Sequence, residues 1–516
     1  MKGGKEERRK RVEERWAVVR EVLEGRGARK VGWELKKQLL VLRQPRILRE
    51  GVGEVAAATL GGPAVDARVM AWILQPDEES AQQRTLEKTA KHHLPPLAAS
   101  AAHLAGTWPP SSGAAARNGC CRRVAQIREV DRKLWKLLPE EGLREPLLEI
   151  EMPLLPVLAE MEAGGVGVDL EALAQIRAVV RGEMEAIEEE AQRVGGGQPF
   201  SLTNSGEVAR VLYEILKLPP PPGSEKGKLH LSTDKQALEA LAPLHPLPLL
   251  IAEFRRLAKL LHSTLDAIQA AATSDGRVHA KWQQTSCSTG RLSVDDPNLQ
   301  CVERDLSTRR GPQAVRICPR SIFVAWQRGW VVLGADYSQI ELCFTAHFSA
   351  DPALCHLLAA GGDLFRDLAA EWEGVAAVSV SGAMRERAKR LVYGMLYGMG
   401  VAALAEKLEC SAEEAGGLRA RFVGAYPRVT RWMEEEVGAC KKRGYVVTLA
   451  GRRRYLDKIN DNNRREVAMA TRQAVNSVCQ GSAADLIKIA MIRLHAHTRE
   501  GGELWGRCRL LMQIHD

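Results

Sequence analysis

No uninterrupted apolar stretch in these 516 residues approaches the roughly 20 needed to cross a bilayer, and no apolar signal segment follows Met1. A membrane partner is therefore not expected. A CxxC pair is also missing. The 11 cysteines are odd in number and scattered, and the adjacent Cys120 and Cys121 have no second pair to complete a zinc site. Reduced thiols and no structural metal are expected. Internal repeats are absent. Excess charge is modest, +9 with a pI near 9.0, which permits a polyanionic partner without demanding one. Against these absences stand 45% hydrophobic residues and charges of both signs, the marks of a chain that folds. Its length exceeds what one core serves and predicts roughly two to four domains.

Residues 1–30 open on a charged, helix-favouring run from Lys5 to Val12. It reads as a solvated helix face, with a nuclear-targeting signal as the alternative. From about 95 to 123 the chain is rich in Ala, Pro, Ser and Gly and reads as a loop or linker insertion. Between about 145 and 270 the pattern is mostly amphipathic helix. Leu158 and Met161 lead to a break at Gly164-Gly165, after which Leu170, Leu173, Ile176 and Val180 recur at helical spacing. Pro219 to Pro222 punctuates this region beside a basic loop holding Lys226 and Lys228. Beyond Ala280, short apolar runs alternate with helical patterns, as in a mixed α/β domain.

The most informative run is Trp330-Val-Val-Leu-Gly-Ala-Asp336-Tyr-Ser-Gln-Ile-Glu341. It is short enough to be a buried strand that delivers Asp336 at its end, with a helix following. Cys508-Arg-Leu-Leu-Met-Gln-Ile-His515-Asp516 repeats the design. Two carboxylates on strand ends of one sheet suit two divalent cations about 4 Å apart, the clamp used in phosphoryl transfer. Hard oxygen ligands favour Mg²⁺. Each acid alone is equally a cap or turn residue.

Between them, Arg385, Lys389, Tyr393 and Tyr397 are spaced by four. Each step turns about 40° around an α-helix, so two cations and two aromatics form one slanting stripe. Arg suits a triphosphate as a fork and Lys as a point charge, while Tyr393 suits stacking on a base or sugar. The same stripe also suits a solvated basic face with buried tyrosines. Two further patches run from Thr285 to Gln300, with Arg291 and Asn298, and from Arg472 to Asp485, with Asn476 and Gln480. Their side chains are donors to the minor-groove acceptors that A·T and T·A share, or else caps and turn hydrogen bonds.

Together these segments resemble the family A DNA polymerases. Asp336-Tyr-Ser-Gln-Ile-Glu341 is similar to motif A, Arg385-x3-Lys389-x3-Tyr393-Gly-x2-Tyr397-Gly to motif B, and Gln513-Ile-His515-Asp516 to motif C, cut short. The Thr289-Gly-Arg291-Leu…Asp296-Pro-Asn298-Leu-Gln300 patch and Gln480-Gly-Ser-Ala-Ala-Asp485 match further family blocks in the same order. Tyr393 with its Lys389-Arg-Leu-Val context, Arg472 to Gln480, and Gly506-Arg-Cys-Arg lean toward the theta branch, in its plant-like form. The resemblance implies an α/β right-hand fold of thumb, palm and fingers, preceded by a degenerate RNase H-like exonuclease domain. Gln38 stands there where a proofreading enzyme carries an acidic ligand, and no DxE strand precedes it. The implied segments are 1–140 exonuclease-like, 141–280 thumb and start of palm, 281–350 palm, 351–465 fingers and 466–516 palm.

The roles the resemblance implies are as follows. Asp336, the Tyr337 carbonyl and Asp516 bind two Mg²⁺ ions. Arg385 and Lys389 hold the triphosphate, and Lys389 also protonates the pyrophosphate. Tyr393 meets the incoming sugar and base, Gln339 helps form the sugar pocket, and Glu341 is the gate against a 2′-hydroxyl. His515 touches the primer terminus, and Tyr397 stacks at the template position. Arg291, Asn298, Gln300, Arg472, Asn476 and Gln480 line the duplex. The expected partners are primer-template DNA and deoxynucleoside triphosphates, the expected state is a monomer, and the expected location is the nucleus, with a role in repair. The alternatives are a DNA-binding fragment without activity and a repair or organellar polymerase I type enzyme.

Overall fold

The computed structural model describes residues 2–43, 58–77, 84–96, 113–220, 230–308 and 314–514. The expected basic loop at Lys226 and Lys228, most of the 95–123 insertion, and the terminal His515 and Asp516 lie outside the described residues. Two units divide the chain: Met1–Met161 with Gln283–Ser293 and Ala335–Asp516, and Glu162–Trp282 with Val294–Gly334.

The first unit opens with a parallel pair, β1 (Lys30–Gly32) and β2 (Ala64–Asp66). Helices α1 (Leu35–Arg43), α2 (Ala67–Leu74) and α3 (Gly113–Glu140) surround it. Almost every residue of α2 is buried, and its Trp72 packs in a core with Val65, Leu134 and Leu155. Asp66 builds the junction. Its carboxylate caps α2 through the Arg68 N–H at 2.9 Å, and it accepts the Leu35 N–H at 2.6 Å and the Glu34 N–H at 3.1 Å. One side chain thus satisfies amides at the starts of two helices. Gln38 donates to the Trp33 carbonyl at 2.9 Å, a local tie within α1 and its lead-in. The helix α3 corrects the linker expectation, which ran to residue 123: from Gly113 the chain is helical. The run Ala114-Ala-Ala116 is made of the strongest helix former, and the surrounding Gly, Pro and Ser masked it.

In the second unit β3 (Val166–Val168) is the centre of a three-stranded antiparallel sheet. A sharp turn precedes it: Gly165 has φ +66, and a Cβ there would lie 2.9 Å from the His279 ring. The helical break expected at Gly164-Gly165 is therefore a backbone requirement. The long helices α4 (Leu170–Val194) and α5 (Leu247–Lys259) follow, with shorter ones between them. Asp169 caps α4 by accepting from the Glu171 and Ala172 N–H groups at 3.0 and 2.9 Å. Leu173, Val180 and Ile187 form its buried stripe, and α5 packs against it with Leu250, Ile251, Phe254 and Leu257 inward. The sheet is completed by β4 (Arg277–Val278) and β5 (Phe323–Val324), which flank β3.

The first unit resumes with α6 (Ile340–Ser349), α7 (Leu364–Glu373) and α8 (Gly382–Leu396). Their core includes Leu342, Phe365, Leu368 and Leu391. Phe348 of α6 stacks on Trp432 of α9 (Pro427–Arg443), with centroids 5.7 Å apart and planes 9° from parallel. A hairpin of β6 (Tyr445–Val447) and β7 (Arg453–Tyr455) leads to the long α10 (Arg464–Thr498), which packs on α6.

Two expected strands are not formed. Residues 331–337 are irregular, with Val331, Val332 and Leu333 exposed at 84%, 56% and 86%. Residues 508–514 are likewise without strand pairing. An apolar run becomes a strand only when a neighbour completes its ladder. Among the described residues neither run has one.

Burial raises the Asp66 carboxyl to about 6, against the pull of its three backbone donors and Arg68. The ordinary value is 3.8, so between pH ~4 and ~6 the folded form holds the proton that the unfolded chain has lost. Its contribution is present below pH ~4 and falls by about 3 kcal/mol as pH rises to ~6. Urea denaturation of wild type and Asp66→Asn across this window checks it. Relative to Asp66→Asn, wild type is expected to lose that amount of stability as pH rises through the window.

Candidate active site

Helix α6 begins on two strained residues. Ser338 and Gln339 both have positive φ, 44 and 52, a left-handed pair that costs non-glycine residues on the order of 1 kcal/mol each. This kink separates two acids into opposite environments. Asp336, before it, is exposed, and its Oδ1 accepts the Ser338 N–H at 3.2 Å. Glu341, after it, is buried in the first turn of α6. Both Glu341 oxygens are engaged: Oε1 accepts from Arg291, and Oε2 accepts the Tyr397 hydroxyl at 2.7 Å. Burial, reinforced by this carboxylate, pushes the Tyr397 phenol well above its usual range. Three of the sequence patches thus meet at one carboxylate.

The stripe on α8 forms as spaced. Ser381 caps the helix by accepting the Met384 N–H at 3.2 Å. Arg385, Lys389 and Tyr393 follow within the helix, and Tyr397 is its C-cap. The Tyr393 and Tyr397 rings lie 5.9 Å apart, and Tyr393 lies 5.9 Å from Phe365. Arg385 is held by a partner that the sequence did not single out. Its Nε donates to Asp363 at 2.6 Å, and both side chains are about a third exposed at 35%. That hydrogen bond holds the Asp363 carboxyl below its usual range and raises Arg385. Lys389 is half-buried and forms no salt bridge among the described residues.

On α10, Arg472 is exposed, while Asn476 and Gln480 are half-buried one turn apart. The Asn476 Oδ1 is buried without a hydrogen-bond partner among the described residues. Asn298 belongs to the other unit, where it caps the short turn Leu299–Cys301 through the Gln300 and Cys301 N–H groups at 3.1 and 3.2 Å. Gln300 is buried. Among the described residues no three His, Cys, Asp or Glu side chains converge. Asp336 offers exposed, hard oxygen, the donor that Mg²⁺ takes. Its expected partner Asp516 lies outside the described residues.

The DNA polymerase family A model matches residues 170–516. The chain belongs to DNA polymerase family A. Its relatives include the thermostable DNA polymerase I of Thermus aquaticus, 34% identical over 509 residues, 98% of this chain and 54% of that protein. DNA polymerase I of Bacillus subtilis is 34% identical over 77% of this chain and 43% of its own. DNA polymerase theta of Mus musculus is 30% identical over 83% of this chain and 20% of its own. Among solved structures, the POL domain of Pol1 from M. smegmatis, in complex with DNA primer-template and dNTP, matches with a TM-score of 0.79. It is 29% identical over 97% of this chain and 81% of that one. The chain spans about half the length of the curated relatives that it matches first. The family A fold is thus shown, and a theta enzyme stands among relatives that also include bacterial polymerases I.

Within this family A chain the structure adds Arg452, hidden in the sequence by lying in the run Arg452-Arg-Arg454, which reads as solvated. It is buried. Its Nε donates to Asp485 at 2.9 Å, and one terminal nitrogen donates to the Thr289 carbonyl at 2.6 Å and the Gly481 carbonyl at 3.2 Å. Asp485 also accepts the Thr448 hydroxyl at 2.6 Å. Asp485 is therefore a structural anchor of its block. A Cβ at Gly290 would lie 2.4 Å from the Arg452 guanidinium, so that glycine leaves room for it. Removing one partner of a buried pair strands the other charge, at about 3–5 kcal/mol. Urea denaturation is expected to show Arg452→Ala destabilised by that much. Exposed Arg419→Ala should stay within about 0.5 kcal/mol of wild type.

Proposed function

We propose that this chain is the catalytic part of a DNA-directed DNA polymerase, which adds deoxynucleotides to a primer 3′-hydroxyl under a template. The observation that carries the reading is the junction at Glu341, where residues of three family blocks converge on one buried carboxylate. Beside it stands the cation-and-aromatic stripe of α8. In this reading Arg385 leaves Asp363 to fork the triphosphate oxygens, since a charge-assisted pair so exposed exchanges readily. Lys389, without a salt-bridge partner among the described residues, takes the phosphates as a point charge and supplies a proton to the departing pyrophosphate. Tyr393 stacks on the incoming nucleotide, with Gln339 completing the sugar pocket. Glu341, held from both sides, keeps its bulk where a 2′-hydroxyl has to go.

Asp336, the Tyr337 carbonyl and Asp516 are the groups that hold Mg²⁺, which when bound neutralises charge developing on the phosphoryl oxygens. His515 meets the primer end, and Tyr397 stacks at the template position. Arg291, Asn298, Gln300, Arg472, Asn476 and Gln480 face the duplex. The N-terminal piece around β1 and β2 is read as an exonuclease-like domain without proofreading, because Gln38 supplies no carboxylate for a two-metal site. Action as a monomer, a nuclear location and a repair role, argued from the theta-like motifs, belong to the same proposal.

Two substitutions in the full-length protein test it. A metal carboxylate supplies several kcal/mol to the transition state, so Asp336→Ala should lower primer extension by roughly 10³-fold. Duplex binding, mostly a matter of phosphate contacts, is expected to persist; near-normal extension removes Asp336 from the chemistry. Glu341→Ala should raise ribonucleotide incorporation relative to deoxynucleotide by about tenfold or more, since it opens the sugar pocket. An unchanged ratio assigns the gate to another residue.

A further inference from the structure

Trp72 is fully buried on α2, and its ring is approached by two cations from distant parts of the chain. The Lys488 ammonium lies 5.2 Å from the ring centroid and the Arg452 guanidinium 5.9 Å. Both are within the range of cation–π attraction, which grows as water is excluded. Each cation is also paired. Arg452 binds Asp485, and Lys488 donates to Glu151 at 2.6 Å with both side chains 1% exposed. Glu151 in turn is tied to Gln284, which donates to its carbonyl at 2.8 Å as well as to its carboxylate. Two positive and two negative charges are thus balanced around one aromatic ring.

Plain packing does not account for an indole here. The Trp72 Nε1 is buried with no hydrogen-bond partner among the described residues, so a phenyl ring or an aliphatic chain fills such a core without stranding a donor. What the ring supplies is its π face. Its two cations both reach the segment 283–293: Lys488 through Glu151 and Gln284, and Arg452 directly at the Thr289 carbonyl. Arg291, two residues on, binds Glu341.

We propose that Trp72 is a positioning residue. Its face fixes Arg452 and Lys488 so that the 283–293 segment presents Arg291 to Glu341. The N-terminal domain thereby acts on sugar selection, a consequence that rests on reading Glu341 as the gate of a polymerase.

The test is Trp72→Met, which keeps apolar bulk and loses the face, beside Trp72→Phe, which keeps a face and loses the orphan N–H. Amide hydrogen exchange of the full-length protein reads the positioning without any catalysis. Exchange across residues 285–293, where the Gly290 N–H is bonded to the Cys287 carbonyl at 2.9 Å, should be at least about fivefold faster in Trp72→Met, with Phe near wild type. The helix Ala412–Ala425 serves as control. Selection against ribonucleotides should fall severalfold in Trp72→Met and return in Trp72→Phe. A merely structural role lowers the extension rate of both nucleotides alike and leaves that ratio intact. Unchanged exchange at 285–293 overturns the positioning, and faster exchange with an unchanged ratio overturns its effect on selection. If the control helix also loosens in the Met variant, Arg452→Lys reports the same link, because Lys keeps the charge but not the fork that reaches Asp485 and Thr289 together; exchange at 285–293 as in wild type then overturns it. Should the wild type extend no primer while the exchange differences hold, the polymerase reading fails and the positioning stands.

Discussion

A guanidinium taken out of water must find an acceptor for each hydrogen it turns inward, and Arg452 does so by gathering parts of the chain far apart in sequence. Asp485, Thr289 and Gly481 lie on a helix and a loop that share no local reason to meet. The ion pair is 3% and 2% exposed, so its attraction is little screened and its loss is severe. Because the acceptors on Thr289 and Gly481 are carbonyls, the pair orders backbone rather than side chains alone. Gly290 and Gly481 fit the same demand. A Cβ at either would stand 2.4 Å from Arg452 or 2.5 Å from Thr448.

From that anchor the ordering passes outward to the surface where chemistry is proposed. The Thr289-Gly290-Arg291 loop carries Arg291 to Glu341, and Glu341 receives Tyr397 from the end of α8. On the other side of the strained Ser338-Gln339 turn, Asp336 remains in solvent. Two acids five positions apart therefore differ in kind. One is sequestered by a cation and a phenol. The other keeps oxygen available to solvent and, in the proposed function, to metal.

The motifs were legible because each is local. Spacing by four predicts the stripe on α8 without any knowledge of what packs against it, and the helix carries that stripe as expected. The Gly164-Gly165 break and the amphipathic α4 were equally readable, since a turn and a helix face are set within a few residues. Hydrophobic runs were less informative. Trp330 to Ala335 looks like a buried strand, yet burial and pairing depend on a neighbour that the run does not encode. Asp363 shows the same limit from the polar side. It caps its own helix, and only the approach of α8 makes it the partner of Arg385.

By itself the sequence determined the family and the order of its motifs, through their resemblance to family A, and which side chains carry charge or aromatic surface, because periodicity and composition act over short distances. The tertiary structure alone decided which of those side chains are spent on one another. Arg452 sits in a run of three arginines that looks solvated, and Lys488 on a helix face like many others; both are buried around Trp72. No local pattern predicts this, because a buried charge is tolerated only when groups distant in sequence close around it. That closure is a property of the packed molecule.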